Sequence, residues 1–351
     1  MSVFQSVDFA DHEQVVHVAD AASGLRGIIA IHSTALGPAI GGCRVYPYAD
    51  EAAALRDVLR LSQGMSLKAA VAGMPFGGAK MVVIADPRRK TPALMRAVGV
   101  AVGRLAGRYV TGEDVGTTVD DMAEIARETD CVMGLPERLG GSGDPSPSTA
   151  RGCFVGIAAA VRHRLERDEL KGLRVAVQGL GSVGTNLCRL LHEAGARLMV
   201  TDTRAEAVEK AVRSFGATAV APEEIYAAEA EVFAPCALGA IINDATLPRL
   251  KAAIVAGAAN NPLADEARHG AGLRARNILY APDYVINAGG MIQLGLERAS
   301  GLDWAEIDRR IAAIGDTLGA IFAHADQAGI ATSAAARARA QARLGVRQRA
   351  A

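Results

Sequence analysis

The chain has 351 residues, of which half are hydrophobic and 38 are glycine, a length and composition that favour two α/β domains over one compact core. The 38 basic residues balance 38 acidic residues, so net charge gives no reason to expect binding to nucleic acid or to an anionic membrane. Five scattered cysteines without a C-x-x-C pair indicate neither a disulfide framework nor a metal site and favour a reducing, cytoplasmic location.

The first 140 residues alternate short hydrophobic runs with segments of helical periodicity. The residues LGPAIGG, at Leu36–Gly42, read as a glycine- and proline-containing turn. Thr91 and Pro92 supply an N-cap and a first-turn proline. The predicted elements are strands at Gly27–His32, Met81–Ile84 and Tyr109–Thr111, and helices at Asp50–Val71, Thr91–Leu105 and Val119–Glu128.

The second half begins after a segment rich in Gly, Ser, Pro and Asp, Leu139–Gly152, which has the composition of a hinge. From Arg174 onward, strands and helices alternate regularly, as in a parallel, doubly wound sheet. The predicted strands are Arg174–Gln178, Arg197–Thr201, Glu231–Ala234, Ala253–Ala256 and Asn277–Tyr280. A long helical stretch follows from Trp304 and is interrupted at Gly329.

A dinucleotide-binding fingerprint lies at the first of these strands. The strand runs into G-x-G-x-x-G, formed by Gly179, Gly181 and Gly184, and a helix follows. The glycines permit a tight turn, the approach of a pyrophosphate to the backbone, and close packing of helix on strand. Asp202 ends the next strand, where it can bind ribose hydroxyls and repel a 2′-phosphate, so NAD is favoured over NADP although Arg204 follows closely.

The first half carries two lysines in unusual settings. Lys68 ends the sequence GMSLK, and Lys80 follows two glycines and an alanine and enters the apolar run MVVI. Exposed lysines with buried stems are the simplest alternative, and that reading is acceptable for Lys68 alone. Burial of Lys80 would instead lower its pKa and make it a usable base. Asp114 follows a strand end, where it could also serve only as a helix cap.

The chain resembles the leucine/valine/phenylalanine dehydrogenase branch of the glutamate dehydrogenase superfamily. The resemblance runs nearly end to end and is carried by LGPAIGG (36–42), GMSLKAA (64–70), FGGAK (76–80), TGEDVGTT (111–118), DPSPSTARG (144–152), VQGLGSVG (177–184), APCALGAIIN (234–243), AGAANN (256–261) and LYAPDYVINAGG (279–290). It implies oxidative deamination of an L-amino acid to a 2-oxo acid and ammonia with NAD.

The resemblance also implies roles for individual residues. Lys80 matches the catalytic lysine, and Asp114 matches the acid that assists proton transfer. Lys68 and Asn261 match groups that bind the substrate carboxylate, and Gly41 and Gly42 line the site with backbone. The matched cofactor-binding residues are Thr149, Gly179, Leu180, Gly181, Ser182, Val183, Gly184, Asp202, Thr203, Cys236, Ala237 and Asn287.

The substrate side chain is expected to be apolar, because Ile40 stands where glutamate dehydrogenases have a lysine that pairs a side-chain carboxylate. Met65, Met291 and Leu294 are the other expected walls. Ile40 and DPSPSTARG resemble the leucine type, whereas Gly112 and Met291 resemble the phenylalanine type. Leucine and branched-chain substrates are favoured, and phenylalanine is the alternative.

Two other classes of function remain as alternatives. A hydroxy-acid dehydrogenase would need a catalytic histidine with an acid near the second half's strands, but His192 and His269 read as solvated helix residues. A non-catalytic NAD-binding protein would not require Lys68, Lys80 and Asp114 together.

The expected architecture is an α/β protein of two domains separated by a cleft. A substrate-binding and oligomerisation domain is expected at 1–140 plus 330–351, and a doubly wound Rossmann NAD-binding domain at 141–329. The resemblance implies a homo-oligomer, a dimer or an octamer, acting on small molecules. The acidic N-terminus does not resemble a signal peptide, and no apolar run reaches the roughly 18–20 residues of a membrane span.

Overall fold

The computed structural model describes residues 3–237 and 239–348, and it divides them into two compact units. The first unit comprises residues 3–145, 293–303 and 340–348, and the second comprises Ser146–Ile292 and Trp304–Arg339. This division differs from the predicted domain ranges in three segments: 141–145 and 293–303 belong to the first unit, and 330–339 belongs to the second. None of the described helices is long and apolar enough to cross a membrane.

The first unit is built on a five-stranded mixed sheet in the order β1-β2-β4-β3-β5. Strands β1 and β2 pair antiparallel, as do β2 and β4, whereas β3 runs parallel to both β4 and β5. The strands are β1 (Gln14–Asp20), β2 (Leu25–Ser33), β3 (Ala39–Tyr46), β4 (Gly77–Ile84) and β5 (Tyr109–Glu113), and the helices are α1 (Glu51–Val71), α2 (Pro92–Gly103) and α3 (Val119–Ile125).

The two faces of this sheet carry different helices. Ile28 and Val82 pack with Leu55 and Leu59 of α1 on one face, and a larger cluster on the other face includes residues of α2 and α3. Asp50 caps α1 by accepting a hydrogen bond from the Ala53 backbone, as a helix beginning there requires. The predicted turn at 36–42 is wrong in its second half, because Ala39–Gly42 begins β3, which lies between β4 and β5.

The second unit contains a six-stranded, fully parallel sheet in the order β11-β10-β9-β6-β7-β8. The strands are β6 (Arg174–Gln178), β7 (Arg197–Thr201), β8 (Thr218–Ala219), β9 (Val232–Pro235), β10 (Ile254–Val255) and β11 (Leu279–Tyr280). The helices are α4 (Ser146–Leu165), α5 (Ser182–Glu193), α6 (Ala205–Phe215), α7 (Glu266–Ala275), α8 (Asp283–Ile286), α9 (Gly289–Ser300), α10 (Trp304–Ala328) and α11 (Thr332–Gln348), of which α9 and α11 continue into the first unit. The strand order reverses at β6, so ligands are expected at its carboxyl end.

Candidate active site

Lys80 lies inside β4 and is only 5% exposed. Gly78, two residues earlier, permits the close approach of α1, because a Cβ there would lie 2.0 Å from the Ser66 backbone nitrogen. The same helix carries Met65 and Lys68, both half-buried. The predicted burial of Lys80 is therefore observed, and α1, which carries two other predicted site residues, packs against its strand.

Lys80 is the first member of a chain of charged side chains within the first unit. Its Nζ lies 3.0 Å from Oδ1 of Asp114, and Oδ2 of Asp114 accepts a 2.7 Å hydrogen bond from Nε of Arg44. Nη1 of Arg44 donates to Asp57 at 3.0 Å, and the same Asp57 oxygen accepts from the hydroxyl of Tyr48 at 2.5 Å. Each group has a partner of opposite charge or a hydrogen bond, as burial requires.

The electrostatics of the pair favour a reactive amine. Burial lowers the pKa of Lys80, and the positive charge of Arg44 lowers it further, although Asp114 opposes both effects. Burial alone would raise the pKa of Asp114, but Lys80 and Arg44 outweigh it and hold this pKa at about 2. Asp114 is therefore a carboxylate at neutral pH, and Lys80 loses its proton more readily than a solvated lysine.

Two glycines shape the backbone beside the pair. A Cβ on Gly41 would lie 1.7 Å from the carbonyl oxygen of Ala79, and a Cβ on Gly42 would lie 2.7 Å from Cβ of Asp114. The hydroxyl of Tyr109 donates to the carbonyl of Gly41 at 2.9 Å and fixes this segment. Only glycine fits at either position, which explains the glycine pair within a buried strand.

Met133, which was not predicted from the sequence, lies beside the predicted pocket residue Gly112. Gly42 pairs with Gly112 across β3 and β5. A Cβ on Gly112 would lie 3.3 Å from Cγ of Met133, and a Cβ on Gly134 would lie 3.2 Å from Cδ2 of Leu294. Met133 is 4% exposed and thus fills the space that the missing methyl group of Gly112 was expected to leave.

The remaining predicted wall residues are divided between the two units. Ile40 is fully buried in β3, and a Cβ on Gly41 would lie 3.4 Å from Cγ of Met65. Met291 is 8% exposed and belongs to the second unit.

In the second unit, β6 leads into the predicted glycine turn. Gly179 has a φ of +99°, and a Cβ on Gly184 would lie 2.0 Å from the carbonyl oxygen of Gly179, so both positions require glycine. Gly181 precedes α5, which has no side-chain N-cap, and a Cβ there would have no heavy atom within 4 Å. The amide groups at this helix end are thus open to an anion. Leu180, Ser182 and Val183 complete the turn, whose Gly179 packs on Cys236 and Ala237.

Asp202 is hydrogen-bonded to the same turn. Its Oδ2 accepts from the Leu180 backbone at 2.6 Å, and its Oδ1 accepts from the backbone and from Nε of Arg204 at 2.9 and 3.2 Å. Thr203, between them, is exposed. Backbone and side chain together fix the carboxylate beside the glycine turn.

Asn287, predicted to bind the coenzyme, lies in a polar cluster of the second unit. Its amide nitrogen donates to the carbonyl of Ala258 at 3.0 Å and to Oδ1 of Asn260 at 2.9 Å, whereas its buried Oδ1 has no hydrogen-bond partner. Thr149 lies nearby, since a Cβ on Gly289 would lie 3.1 Å from its backbone nitrogen. Asn261 has a φ of +47°, and its backbone nitrogen donates to Asp283 at 2.8 Å.

One expectation from sequence is wrong. His269 is 1% exposed rather than solvated, its Nδ1 accepts from the Asp265 backbone at 2.9 Å, and its Nε2 lies 3.2 Å from Asp244. His269 lies in the first turn of α7 (Glu266–Ala275), and its contacts fasten that turn to Asp265 and Asp244 in the preceding segment, so its role is structural.

Comparison with known proteins bears on the whole chain. Residues 12–131 match the family model described as Glu/Leu/Phe/Val dehydrogenase, dimerisation domain. Residues 140–208 and 197–344 match the model described as Glutamate/Leucine/Phenylalanine/Valine dehydrogenase.

Similar proteins span nearly the same length. A leucine dehydrogenase of Bacillus cereus is 49% identical over 337 residues, covering 96% of this chain and 92% of the relative. A phenylalanine dehydrogenase of Caldalkalibacillus thermarum is 46% identical over 355 residues, covering 99% and 95%. The crystal structure of an L-tryptophan dehydrogenase from Nostoc punctiforme superposes with a TM-score of 0.80 at 47% identity, covering 97% of each chain.

These matches confirm the resemblance and the two-domain α/β fold. They also favour an amino-acid dehydrogenase over the hydroxy-acid and non-catalytic alternatives, because the relatives are amino-acid dehydrogenases over almost the full chain. The chain belongs to the glutamate/leucine/phenylalanine/valine dehydrogenase family and is an amino-acid oxidoreductase that uses a nicotinamide coenzyme.

Proposed function

We propose that this enzyme oxidatively deaminates an apolar L-amino acid, leucine or another branched-chain substrate, with NAD⁺ as the coenzyme. The observation that carries the proposal is the buried pair of Lys80 and Asp114, 3.0 Å apart, in a chain whose relatives include leucine dehydrogenases. A lysine with a lowered pKa beside a fixed carboxylate is suited to acid–base chemistry.

Each residue of the pair has a defined task in this proposal. Bound NAD⁺ would supply the hydride acceptor for the substrate Cα. Lys80, as the neutral amine, takes a proton from the water that attacks the resulting substrate iminium, and it returns a proton as the amino group leaves as ammonia. Asp114, held as a carboxylate, stabilises the ammonium form of Lys80. Lys68 and Asn261 bind the substrate carboxylate in the proposal.

The second unit fits a dinucleotide at three places. The turn at Gly179–Gly184 leaves helix amide groups for a pyrophosphate, with no Cβ at Gly181 to block approach. Asp202 offers acceptors for ribose hydroxyls. The partnerless Oδ1 of Asn287 can accept from the carboxamide nitrogen of a nicotinamide, which would satisfy a buried polar atom. Thr149, Thr203, Cys236 and Ala237 are proposed to complete this site.

Asp202 supports NAD over NADP. A 2′-phosphate would meet a carboxylate that is fixed by two backbone amides and therefore cannot turn away easily. The guanidinium of Arg204 is already engaged, because it contacts Asp202 and the carbonyl of Leu180 at 3.1 Å. The charge that could attract a phosphate is thus partly neutralised.

The pocket residues support an aliphatic substrate, with an aromatic one as the second candidate. Ile40 leaves no cation for a glutamate side chain, so binding glutamate would strand a buried carboxylate. Gly112 alone would favour an aromatic ring, but Met133 occupies the adjacent space. The phenylalanine and tryptophan dehydrogenases among the relatives keep the aromatic alternative open to test.

A substrate and coenzyme panel tests the proposal. Initial rates of NADH or NADPH formation would be measured with L-leucine, L-valine, L-phenylalanine, L-tryptophan and L-glutamate at alkaline pH. We expect kcat/KM to be highest with leucine or valine and NAD⁺, and lowest with glutamate. Preference for phenylalanine would overturn the aliphatic assignment, and equal rates with NADP⁺ would overturn the role of Asp202.

We further propose a cytoplasmic homo-oligomer, a dimer or octamer, that assembles through the first unit. The matched family description names this segment a dimerisation domain, and β1 pairs on one side only, so its other edge is available to a second copy. None of the five cysteines forms a disulfide bond, which suits a reducing compartment. Light scattering of the purified chain tests the assembly, and the mass of a single chain at micromolar concentration would contradict it.

A further inference from the structure

The ion-pair chain contains an arginine that the proposed mechanism does not use. Arg44 lies on β3, and only 16% of its side chain is exposed. It contacts both Asp114 of the proposed catalytic pair and Asp57, which lies on α1. An arginine buried at this depth between two carboxylates carries a large desolvation cost, so its placement calls for an explanation beyond fold stability.

The geometry divides the two oxygens of Asp114 between two cations. Oδ1 faces Nζ of Lys80 at 3.0 Å, whereas Oδ2 accepts from Nε of Arg44 at 2.7 Å. Arg44 cannot turn away, because its Nη1 donates to Asp57 at 3.0 Å and Asp57 also accepts from Tyr48 at 2.5 Å. Rotation of the Asp114 carboxylate would break the bond to Arg44, so Oδ1 remains directed at Lys80.

The charges of Arg44 and Asp57 also act on Lys80. The positive charge of Arg44 lowers the pKa of Lys80, whereas the negative charge of Asp57 raises it. Arg44 and Asp57, which are in contact with each other, therefore shift the pKa of Lys80 in opposite directions. Among the residues that the structure describes, Cys43, Tyr48, Tyr109 and Glu113 also interact electrostatically with Asp114, and burial raises the pKa of each.

We propose that Arg44 is a positioning residue that holds Asp114 through one carboxylate oxygen, aims the other at Lys80, and by its charge keeps Lys80 available as a base. Asp57 anchors Arg44 and moderates its charge. This inference rests on the proposed function, in which the neutral amine of Lys80 accepts a proton. In this proposal Arg44 does not contact the substrate.

The test compares three variants with the wild-type enzyme. Arg44→Met removes the charge, Arg44→Lys keeps the charge but loses the second hydrogen bond, and Asp57→Asn removes the opposing charge while keeping an acceptor for Arg44. The acid limb of the pH profile of kcat/KM would be recorded with the best amino acid of the panel. We expect it to move by about one pH unit to higher pH in Arg44→Met, to stay in Arg44→Lys, and to move to lower pH in Asp57→Asn.

A second measurement is independent of turnover. Carbamylation of Lys80 by cyanate, followed by peptide mass spectrometry across pH, reports the pKa of its amine directly, and the same opposite shifts are expected. A role in folding alone would lower kcat without moving the limb, so limbs and labelling curves that coincide with wild type in both Arg44→Met and Asp57→Asn would overturn the inference. If Arg44→Met does not fold, Asp57→Asn and Arg44→Lys decide. An enzyme silent on the whole panel would contradict the proposed function, whereas shifted labelling curves in that enzyme would still support the control of the Lys80 amine by Arg44 and Asp57.

Discussion

Replacing Lys80 with alanine is expected to abolish turnover, lowering kcat by a factor of about 10³ or more. General acid–base groups contribute about 10²–10⁴ to the rate, and Lys80 is the lysine whose Nζ lies 3.0 Å from the carboxylate of Asp114. The variant also leaves Asp114 buried with one cation instead of two. Steady-state rates of NADH formation measure the loss.

Two controls separate a chemical effect from a structural one. NADH binding, followed by fluorescence, should survive in Lys80→Ala because the proposed coenzyme site lies in the other unit. Lys90 provides a matched lysine, since it is also largely buried, belongs to the same unit and pairs with Asp121. Lys90→Ala should keep activity near that of the wild type. A Lys80→Ala enzyme that keeps about a tenth of the wild-type kcat would remove Lys80 from its assigned role.

Replacing Met133 with alanine is expected to shift specificity toward aromatic amino acids. Met133 lies against Gly112, which pairs with Gly42 across β5 and β3. Its truncation would open space for a ring and remove contacts with an aliphatic side chain. We expect the ratio of kcat/KM for phenylalanine over leucine to rise about tenfold or more, because single methylene differences in such pockets are worth about 10- to 200-fold.

Gly112→Ala provides the converse variant. A methyl group there would approach Met133 to 3.3 Å, a distance that a flexible methionine can relieve by moving a few tenths of an ångström. The alanine should therefore leave leucine turnover largely intact and reduce any activity with phenylalanine. If Met133→Ala leaves the ratio unchanged, Met133 faces away from the substrate, and the specificity argument returns to Gly112 and Met291.

The sequence predicted the second unit's sheet well because its signals are local. Strand Arg174–Gln178 and the glycine turn after it are adjacent in sequence, and each glycine has a steric reason that the fingerprint already states. Strand β3 was missed in part because Pro38, Gly41 and Gly42 imitate a turn. In the structure those glycines instead make room for the carbonyls of neighbouring strands.

The residues of the candidate site also differ in whether a local sequence signal identifies them. Lys80 could be selected because its glycine-rich approach to an apolar run is visible in the sequence. Arg44 could not be selected, because its partners Asp57 and Asp114 lie 13 and 70 positions away and the register of the sheet is needed to bring them together. Met133 carries no motif, and only its position against Gly112 identifies it.

The first unit is discontinuous in sequence, which matters during synthesis. Ser142 donates its backbone amide to Glu297 at 3.0 Å, and Gln293 donates to the carbonyl of Ser142 at 3.1 Å, across more than 150 positions. The ribosome therefore delivers every strand of the second sheet before the first unit receives these bonds and Leu294. Closing so long a loop is slow compared with local contacts. A nascent chain that has just passed Pro145 thus contains every strand of the first sheet but lacks α9, and with it the predicted pocket residue Leu294.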